Sequence, residues 1–309
     1  MYGIILVIQL FAVDGDTRHL EYSTEPPAID NTSIVYVKLP KCASSTTGGV
    51  VRHIAAHHNL TGATQGYQWL CNQTDRPGIW ANHRTMSSLA PLIEAITRWR
   101  VFVFSVVREP TARAISEYYH FHVFFKKESS EDAAVIRFLN GTKNVMFNYL
   151  KPHRDATAIR EIFNTYDFIG TVELYHESMV ALATRLGLPL LDVLFVSAVK
   201  NSARQPKRSN SIPRSSSGVR AWMNTGEFES HAALDFELWR EATFRLEAVT
   251  GERKFQVERY ADLAHVATGC NVRGTCYWKD AGCGYPCLDQ RFPVIASLYE
   301  KSRTPNFVA

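Results

Sequence analysis

Residues 33–58 read SIVYVKL-PKCASSTTGG-VVRHIAAHH. The first seven are mostly β-branched and apolar and predict a buried strand, whereas residues 50–58 predict a helix. The turn between them is rich in small hydroxyl residues, so its backbone N–H groups and the helix N-terminus form a cradle for a phosphate-like anion. Lys41 adds a charge there. The turn lacks the glycine-then-lysine order of nucleotide triphosphatases, and an ordinary strand–helix turn with a surface lysine remains the alternative.

Strand and helix signals alternate through most of the chain. Further strands are predicted at Val101–Val107, Tyr166–Thr171 and Leu191–Ala198. Further helices are predicted at residues 110–125, 174–186 and 232–250. This alternation implies an α/β fold with a parallel sheet flanked by helices on both faces. Such sheets bind their ligands at the carboxyl ends of the strands.

A second loop at a strand end carries another potential anion site. Arg108 follows the strand VFVFSVV, and Pro110 favours the start of a helix just after it. Ser116 lies about two turns into that helix, where it can share an anion with the Arg108 guanidinium. Two anion sites at adjacent strand ends suit a ligand with two separated phosphate groups.

The composition excludes several classes of protein. The 309 residues are 46% hydrophobic and 21% charged, which is typical of a globular protein and excludes disorder over most of the length. No apolar run reaches the ~20 residues of a spanning helix, which excludes a polytopic membrane protein. The net charge of +4 suits an anionic ligand but is too small to indicate nucleic-acid binding.

The N-terminus and the cysteines favour a secretory route. Residues 1–13 are predicted to be a signal or a truncated signal anchor, with a buried first strand as the alternative, and residues 14–30 a linker. N-x-S/T sequons lie at Asn31, Asn59, Asn72 and Asn140. Four cysteines, spaced C-x5-C-x6-C-x3-C, lie at Cys270, Cys276, Cys283 and Cys287. Two disulfides fit this spacing better than a zinc site does.

Several motifs together resemble the Golgi carbohydrate sulfotransferases, in particular the heparan/uronyl 2-O- and galactose 3-O-sulfotransferase branches. The motifs are Lys-x-Pro-Lys-Cys-Ala-Ser-Ser-Thr at residues 38–46 and Val-Val-Arg-Glu-Pro…Ile-Ser-Glu-Tyr-Tyr at residues 106–119. Segments 144–150, 166–179 and 235–239 also resemble the family. The likeness covers roughly residues 33–250 and implies that the parallel sheet is of the P-loop type. We therefore expect a sulfotransferase-like domain at 31–250 and a Cys-rich extension at 251–309 packed on it.

The resemblance implies a donor, 3'-phosphoadenosine 5'-phosphosulfate, and a glycan or glycosaminoglycan acceptor. Arg108 and Ser116 would hold the 3'-phosphate. Lys41 would act catalytically on the leaving group, because an ammonium stabilises the charge that develops on the bridging oxygen. The 5'-phosphosulfate would be held by Lys41 and the amides of Cys42, Ala43, Ser44, Ser45 and Thr46. Cys42, expected to be a free thiol, departs from the threonine usual in the family.

The acceptor hydroxyl needs a general base, for which histidine has a suitable intrinsic pKa. The segment Ile79–Met86 (IWANHRTM) resembles the family's base-bearing segment, which implies that His83 is the base; a structural or surface histidine is the alternative. Packing or surface positions are the expectation for His53, His57 and His58. His120 and His122 lie on the predicted helix through Phe125, where burial is the expectation and a substrate-lining role is the alternative.

Residues 193–226 contain six basic and no acidic residues, and many serines. They predict a mobile basic loop, either a flap over the nucleotide or glycan or a solvated linker. The resemblance implies donor contacts from Arg214 and Ser215. Glu173 is either structural or in contact with substrate.

The sequence thus predicts a Golgi-lumenal carbohydrate O-sulfotransferase, delivered by the secretory route or held as a type II membrane protein through its N-terminal anchor. The chemistry needs no metal, and no nucleic-acid partner is expected. Two alternatives remain. The first is a non-catalytic glycan-binding protein on the same fold, and the second is a P-loop nucleotide kinase.

Overall fold

A four-stranded parallel sheet forms the centre of the molecule, with strand order β2-β1-β3-β4. The computed structural model describes residues 29–61, 76–195 and 216–267, together with 270, 287, 288 and 290. The strands are β1 (Thr32–Val37), β2 (Ile79–Asn82), β3 (Arg100–Val107) and β4 (Phe168–Thr171). The predicted α/β fold with a parallel sheet is therefore confirmed.

The strand register brings the carboxyl ends of all four strands to one edge. Val37, the last residue of β1, pairs with Asn82 of β2 and Ser105 of β3, and Val107 of β3 pairs with Thr171 of β4. The loops that follow β1, β2 and β3 consequently start side by side. The predicted anion turn and Arg108 follow two of these strands.

Helices cover both faces of the sheet. They are α1 (Ser44–His57), α2 (Met86–Ala95), α3 (Pro110–Glu117), a π-helix (Tyr118–Phe125), α4 (Asp132–Gly141), α5 (Val145–Leu150), α6 (Ile159–Thr165), α7 (Tyr175–Leu186), α8 (Ser217–Met223), α9 (Glu227–His231), α10 (Ala233–Gly251) and α11 (Lys254–Ala267). Alternate residues of β1 enter different cores. Ile34 and Tyr36 pack with α1 and α7, and Val35 and Val37 with α5, α6 and α10. Because both faces are covered, every residue of β1 is buried.

The predicted strand at Leu191–Ala198 is wrong over the residues that the structure describes there. Residues 191–195 form turns, in which the Asp192 N–H donates to the Pro189 carbonyl and the Leu194 N–H to that of Leu191. Val193 and Leu194 are fully buried, so their apolar character comes from core packing. The fourth strand of the sheet is instead β2, which the sequence analysis did not predict as a strand.

The segment after α10 packs on the same core. Tyr260 and Ala264 of α11 are buried beside α7, and the Tyr260 hydroxyl donates to the Val193 carbonyl at 2.7 Å. A disulfide joins Cys270 to Cys287. One disulfide among the four clustered cysteines is therefore present, and Cys276 and Cys283 lie outside the described residues.

The predicted signal or anchor at 1–13, most of the linker at 14–30 and the sequon at Asn72 also lie outside the described residues. Within the described part of the chain, no helix is long and apolar enough to cross a membrane.

Hydrogen bonds join two of the segments that resemble the family, 144–150 and 235–239, at the starts of α5 and α10. Asp235 of α10 is buried, and its carboxylate accepts hydrogen bonds from the backbone N–H of Met146 at 3.1 Å and of Phe147 at 2.7 Å. In return, the Asn144 Oδ1 atom accepts from the Leu234 N–H at 2.9 Å. Each residue satisfies the N–H groups that the other helix leaves open at its start.

We predict that Asp235→Ala lowers the free energy of unfolding by about 2 to 4 kcal/mol, because two buried N–H groups lose their acceptor. Urea unfolding measures this loss. Glu237→Ala, at an exposed position of the same helix, is the matched control and is expected to stay within about 0.5 kcal/mol of the parent. Equal losses in the two variants would contradict the capping role.

Candidate active site

The turn after β1, residues 38–47, is called here the anion loop. Lys41 and Ala43 adopt left-handed backbone conformations, with φ of 65° and 53°. Such strained positions are concentrated at ligand clamps. The first bond of α1 runs from the Thr47 N–H to the Ala43 carbonyl at 3.0 Å. The N–H groups of residues 44–46 therefore precede the helical ladder, no side chain caps them, and they form an anion cradle.

Thr47 anchors this cradle to the next layer of the fold. It is fully buried, and its hydroxyl lies 2.8 Å from the Tyr175 hydroxyl at the start of α7. Burial raises the pKa of Tyr175, so the phenol stays neutral. The contact fixes the first turn of α1, and with it the directions of the N–H groups ahead of Thr47.

Cys42 is a free thiol, as predicted. Its side chain is fully buried, with Sγ 4.0 Å from the Met146 Sδ atom and 3.7 Å from the Pro40 carbonyl oxygen. Burial raises the pKa of the thiol to about 12, so it is protonated. The Cys42 N–H, predicted to face the donor, donates to the Leu39 carbonyl at 3.4 Å. The Cys42 side chain therefore packs in the core beneath the loop.

Lys41 lies in a strongly cationic setting. Burial and the neighbouring Arg108 guanidinium lower the pKa of Lys41 to about 8, while Glu117 and Cys42 act in the opposite direction. Two cations held this close favour an anion between or beside them. Lys41 remains protonated at neutral pH and below.

Arg108 joins the second loop to the first. Its Nη1 atom donates to the Lys41 carbonyl at 3.2 Å. Its Nε atom is buried and has no hydrogen-bond partner among the described residues. A buried donor without a partner is costly unless a ligand satisfies it, so Arg108 is placed to bind an acceptor oxygen.

The residues after Arg108 hold it in position. Glu109 caps α3 by accepting hydrogen bonds from the N–H groups of Thr111 at 2.9 Å and Ala112 at 2.6 Å, and Pro110 occupies the first helical turn. Ser116, the other predicted 3'-phosphate contact, is buried on α3 with 5% of its surface exposed.

Glu173, whose role the sequence left open, bridges elements around this loop. Its Oε1 atom accepts from the Glu109 N–H, and its Oε2 atom accepts from the Trp239 Nε1–H of α10, both at 3.2 Å. These bonds indicate a structural role, in which the carboxylate ties the loop after β3 to α10.

His83 follows β2 and stands beside the anion loop. Its Nδ1 atom lies 2.9 Å from the Lys38 carbonyl oxygen. Because a carbonyl only accepts, Nδ1 carries the hydrogen, and the neutral ring has its basic lone pair on Nε2. The Lys38 N–H in turn donates to the Asn82 carbonyl at 3.0 Å. Strand pairing thus sets both the place and the tautomer of the predicted base.

Charged and titratable side chains of α3 and the π-helix also interact electrostatically with Lys41, although burial was the expectation for His120 and a substrate-lining role its alternative. Arg113 is 1% exposed and pairs with Glu117 at 2.6 Å. Glu117 raises the pKa of Lys41, and the pKa of His120 is lowered to about 4 by burial and by Lys41. His120 therefore belongs to the site region and not to the core. Its i, i+4, i+7 spacing from Arg113 and Glu117 is the signal that could have found it.

Several other histidines and basic residues considered in the sequence analysis are not part of this site as the structure describes it. His57 and His58, at the opposite end of α1, pair with Asp192 at 3.0 and 2.8 Å. They line a cavity of about 460 Å³ on that side. Arg214, Ser215 and the basic loop up to residue 215 lie outside the described residues, and no cluster of metal-ligating side chains occurs in the ranges that the structure covers.

Comparisons with known proteins identify related sequences. Residues 28–215 match the sequence model of a family described as the sulfotransferase family. The chain is also 25% identical over 284 residues to human galactose-3-O-sulfotransferase 2, a match that covers 79% of this chain and 68% of the human protein.

Proposed function

Because the chain belongs to the sulfotransferase family, as its motifs predicted, we propose that it is a carbohydrate O-sulfotransferase that uses 3'-phosphoadenosine 5'-phosphosulfate. One observation carries the proposal. The Arg108 guanidinium, whose buried Nε atom has no hydrogen-bond partner among the described residues, meets the Lys41 backbone and the start of α1 at one sheet edge. His83, whose neutral ring is basic at Nε2, lies beside them. These are the groups needed to bind a doubly anionic donor and to deprotonate a hydroxyl.

The residues proposed to bind the sulfuryl donor fit an anion at each end of its nucleotide. Lys41 and the N–H groups of Ser44, Ser45 and Thr46 would hold the 5'-phosphosulfate, and Arg108 with Ser116 the 3'-phosphate. The Arg108 Nε atom lacks an acceptor among the described residues, which is expected of a side chain that binds a phosphate. Arg214 and Ser215 stay proposed as further donor contacts.

Two residues carry the chemistry in this proposal. Lys41, protonated below about pH 8, stabilises the negative charge on the bridging oxygen as the sulfur–oxygen bond breaks. His83 accepts the acceptor's hydroxyl proton on Nε2 as the acceptor oxygen bonds to sulfur in line with the leaving group. The products are a sulfate ester, adenosine 3',5'-bisphosphate and a proton on His83.

The proposed acceptor is a galactose-bearing glycan. The name of the human relative supports galactose, and a glycosaminoglycan uronate is the second acceptor to be screened. A lumenal location in the Golgi fits this substrate class and the disulfide Cys270–Cys287. Asn59 lies exposed after α1, where a glycan can attach, whereas Asn140 lies on α4 with a buried side-chain oxygen.

The two alternatives are weaker. A decayed, purely glycan-binding protein would be indicated by a damaged donor loop, but Cys42 points into the core and leaves the cradle of residues 44–46 in place. A nucleotide kinase would need the triphosphatase glycine and lysine order, which the anion loop lacks.

We predict that Lys41→Ala lowers kcat by about 100-fold or more, because the leaving group loses its cation. His83→Ala is expected to lower kcat by about 100- to 10,000-fold, since proton removal is lost. Transfer of labelled sulfate to N-acetyllactosamine measures both. Arg98→Ala, at an exposed position before β3, is the matched control and should retain full activity. Full activity in either site variant would remove that residue from the mechanism.

A pH profile tests the state of Lys41. Because its pKa is lowered to about 8 in the free protein, its charge is lost as the pH rises through 8. We expect kcat/KM for the donor to fall about tenfold per pH unit above that value. In Lys41→Arg the guanidinium keeps its charge above pH 8, so the fall in kcat/KM, relative to that variant's own maximum, should move to higher pH. A profile of the parent protein that stays flat up to pH 10 would contradict the assignment.

A further inference from the structure

The π-helix Tyr118–Phe125 is anchored through one of its sides. Tyr118 and His122 stack with ring centroids 5.3 Å apart, and both contact Phe138 of α4, at 5.1 and 4.8 Å. The Tyr118 hydroxyl donates to the Ser129 carbonyl, and His122 pairs with Glu128 at 2.9 Å. This side fixes the helix on the body of the domain.

The opposite side carries a cluster of rings that we call the aromatic face, namely His120, Phe121 and Phe125. The His120 ring meets Phe121 edge-on at 4.7 Å and Phe125 edge-on at 5.1 Å. Phe121 is 39% exposed and Phe125 51% exposed. Two neighbouring phenylalanines at the surface lose the burial that normally stabilises them, which points to a ligand that covers them.

The aromatic face borders the proposed active site. Its helix continues α3, which starts one residue after the Arg108-Glu109 pair and carries Ser116 and Glu117. His120 and Glu117 are both close enough to Lys41 to interact with its charge. Irregular π-helical turns occur frequently at functional sites. The aromatic face therefore lies on the direct continuation of the helix that carries the proposed 3'-phosphate contact Ser116.

We propose that the aromatic face is the acceptor subsite, on which Phe121 and Phe125 stack against the apolar C–H face of the terminal sugar ring while its hydroxyl points towards the site of His83 and Lys41. This inference rests on the proposed sulfotransfer. Flat rings provide contact area to a sugar at little entropic cost. His120 contacts both phenylalanine rings edge-on and, being neutral at physiological pH, adds no charge to the face.

Steady-state kinetics of the full chain with N-acetyllactosamine test the subsite. Phe121→Ala and Phe125→Ala are each expected to raise the acceptor KM about 3- to 10-fold, with the donor KM unchanged. Phe121→Tyr should restore the parent value because the ring is kept. Phe244→Ala is the matched control, since Phe244 is 68% exposed on α10, away from this helix.

The outcomes separate this inference from the function on which it rests. No transfer by the parent protein to any glycan, with no binding of adenosine 3',5'-bisphosphate, would overturn the proposed function. Transfer by the parent with unchanged acceptor KM in both alanine variants would overturn the subsite alone. A shift of the alanine variants from dimer to monomer in size-exclusion chromatography, at unchanged acceptor KM, would assign the face to a second copy of the chain. If an alanine variant fails to fold, Phe121→Leu, which keeps volume and loses the ring, is expected to raise the acceptor KM likewise.

Discussion

The hydrogen bond from Arg108 to the Lys41 carbonyl joins the two loops on which the site depends. It forms only because β1 and β3 pair in parallel, so that both loops leave the same edge of the sheet. β2 pairs on the other side of β1 and brings His83 to that edge. Backbone pairing therefore brings the segments that carry Lys41, His83 and Arg108 to one edge of the sheet.

The electrostatics of this edge favour an anionic ligand. Lys41 is partly buried beside a second cation, and both this burial and the Arg108 charge lower its pKa. Arg108 has a buried donor with no partner among the described residues, and the cradle at the start of α1 has no capping side chain. Each of these features costs stability in the free protein, and the proposed anionic donor would relieve each of them.

Much of this arrangement could be predicted from the sequence because it depends on local patterns. Because β1 and β3 are buried on both faces, their sequences are nearly continuous apolar runs that predict strands. The anion loop has a distinctive composition. β2 has only four residues, too few for a periodic signal, and 191–195 are apolar because they pack in the core as turns. Contacts that join distant segments left no local trace. The mutual capping of Asn144 and Asp235 is an example.

The central claim, a two-anion donor site at Lys41 and Arg108, is tested most directly by thermal unfolding with ligands. A ligand that binds only the folded protein raises its Tm, by the equivalent of about 2.7 kcal/mol at 100 times its Kd. We predict a Tm rise with adenosine 3',5'-bisphosphate that exceeds those with 5'-AMP and ATP, that is lost in Arg108→Ala, and that is retained in Arg98→Ala. No rise, or an equal rise with ATP, would contradict the two-anion site and with it the sulfotransferase mechanism.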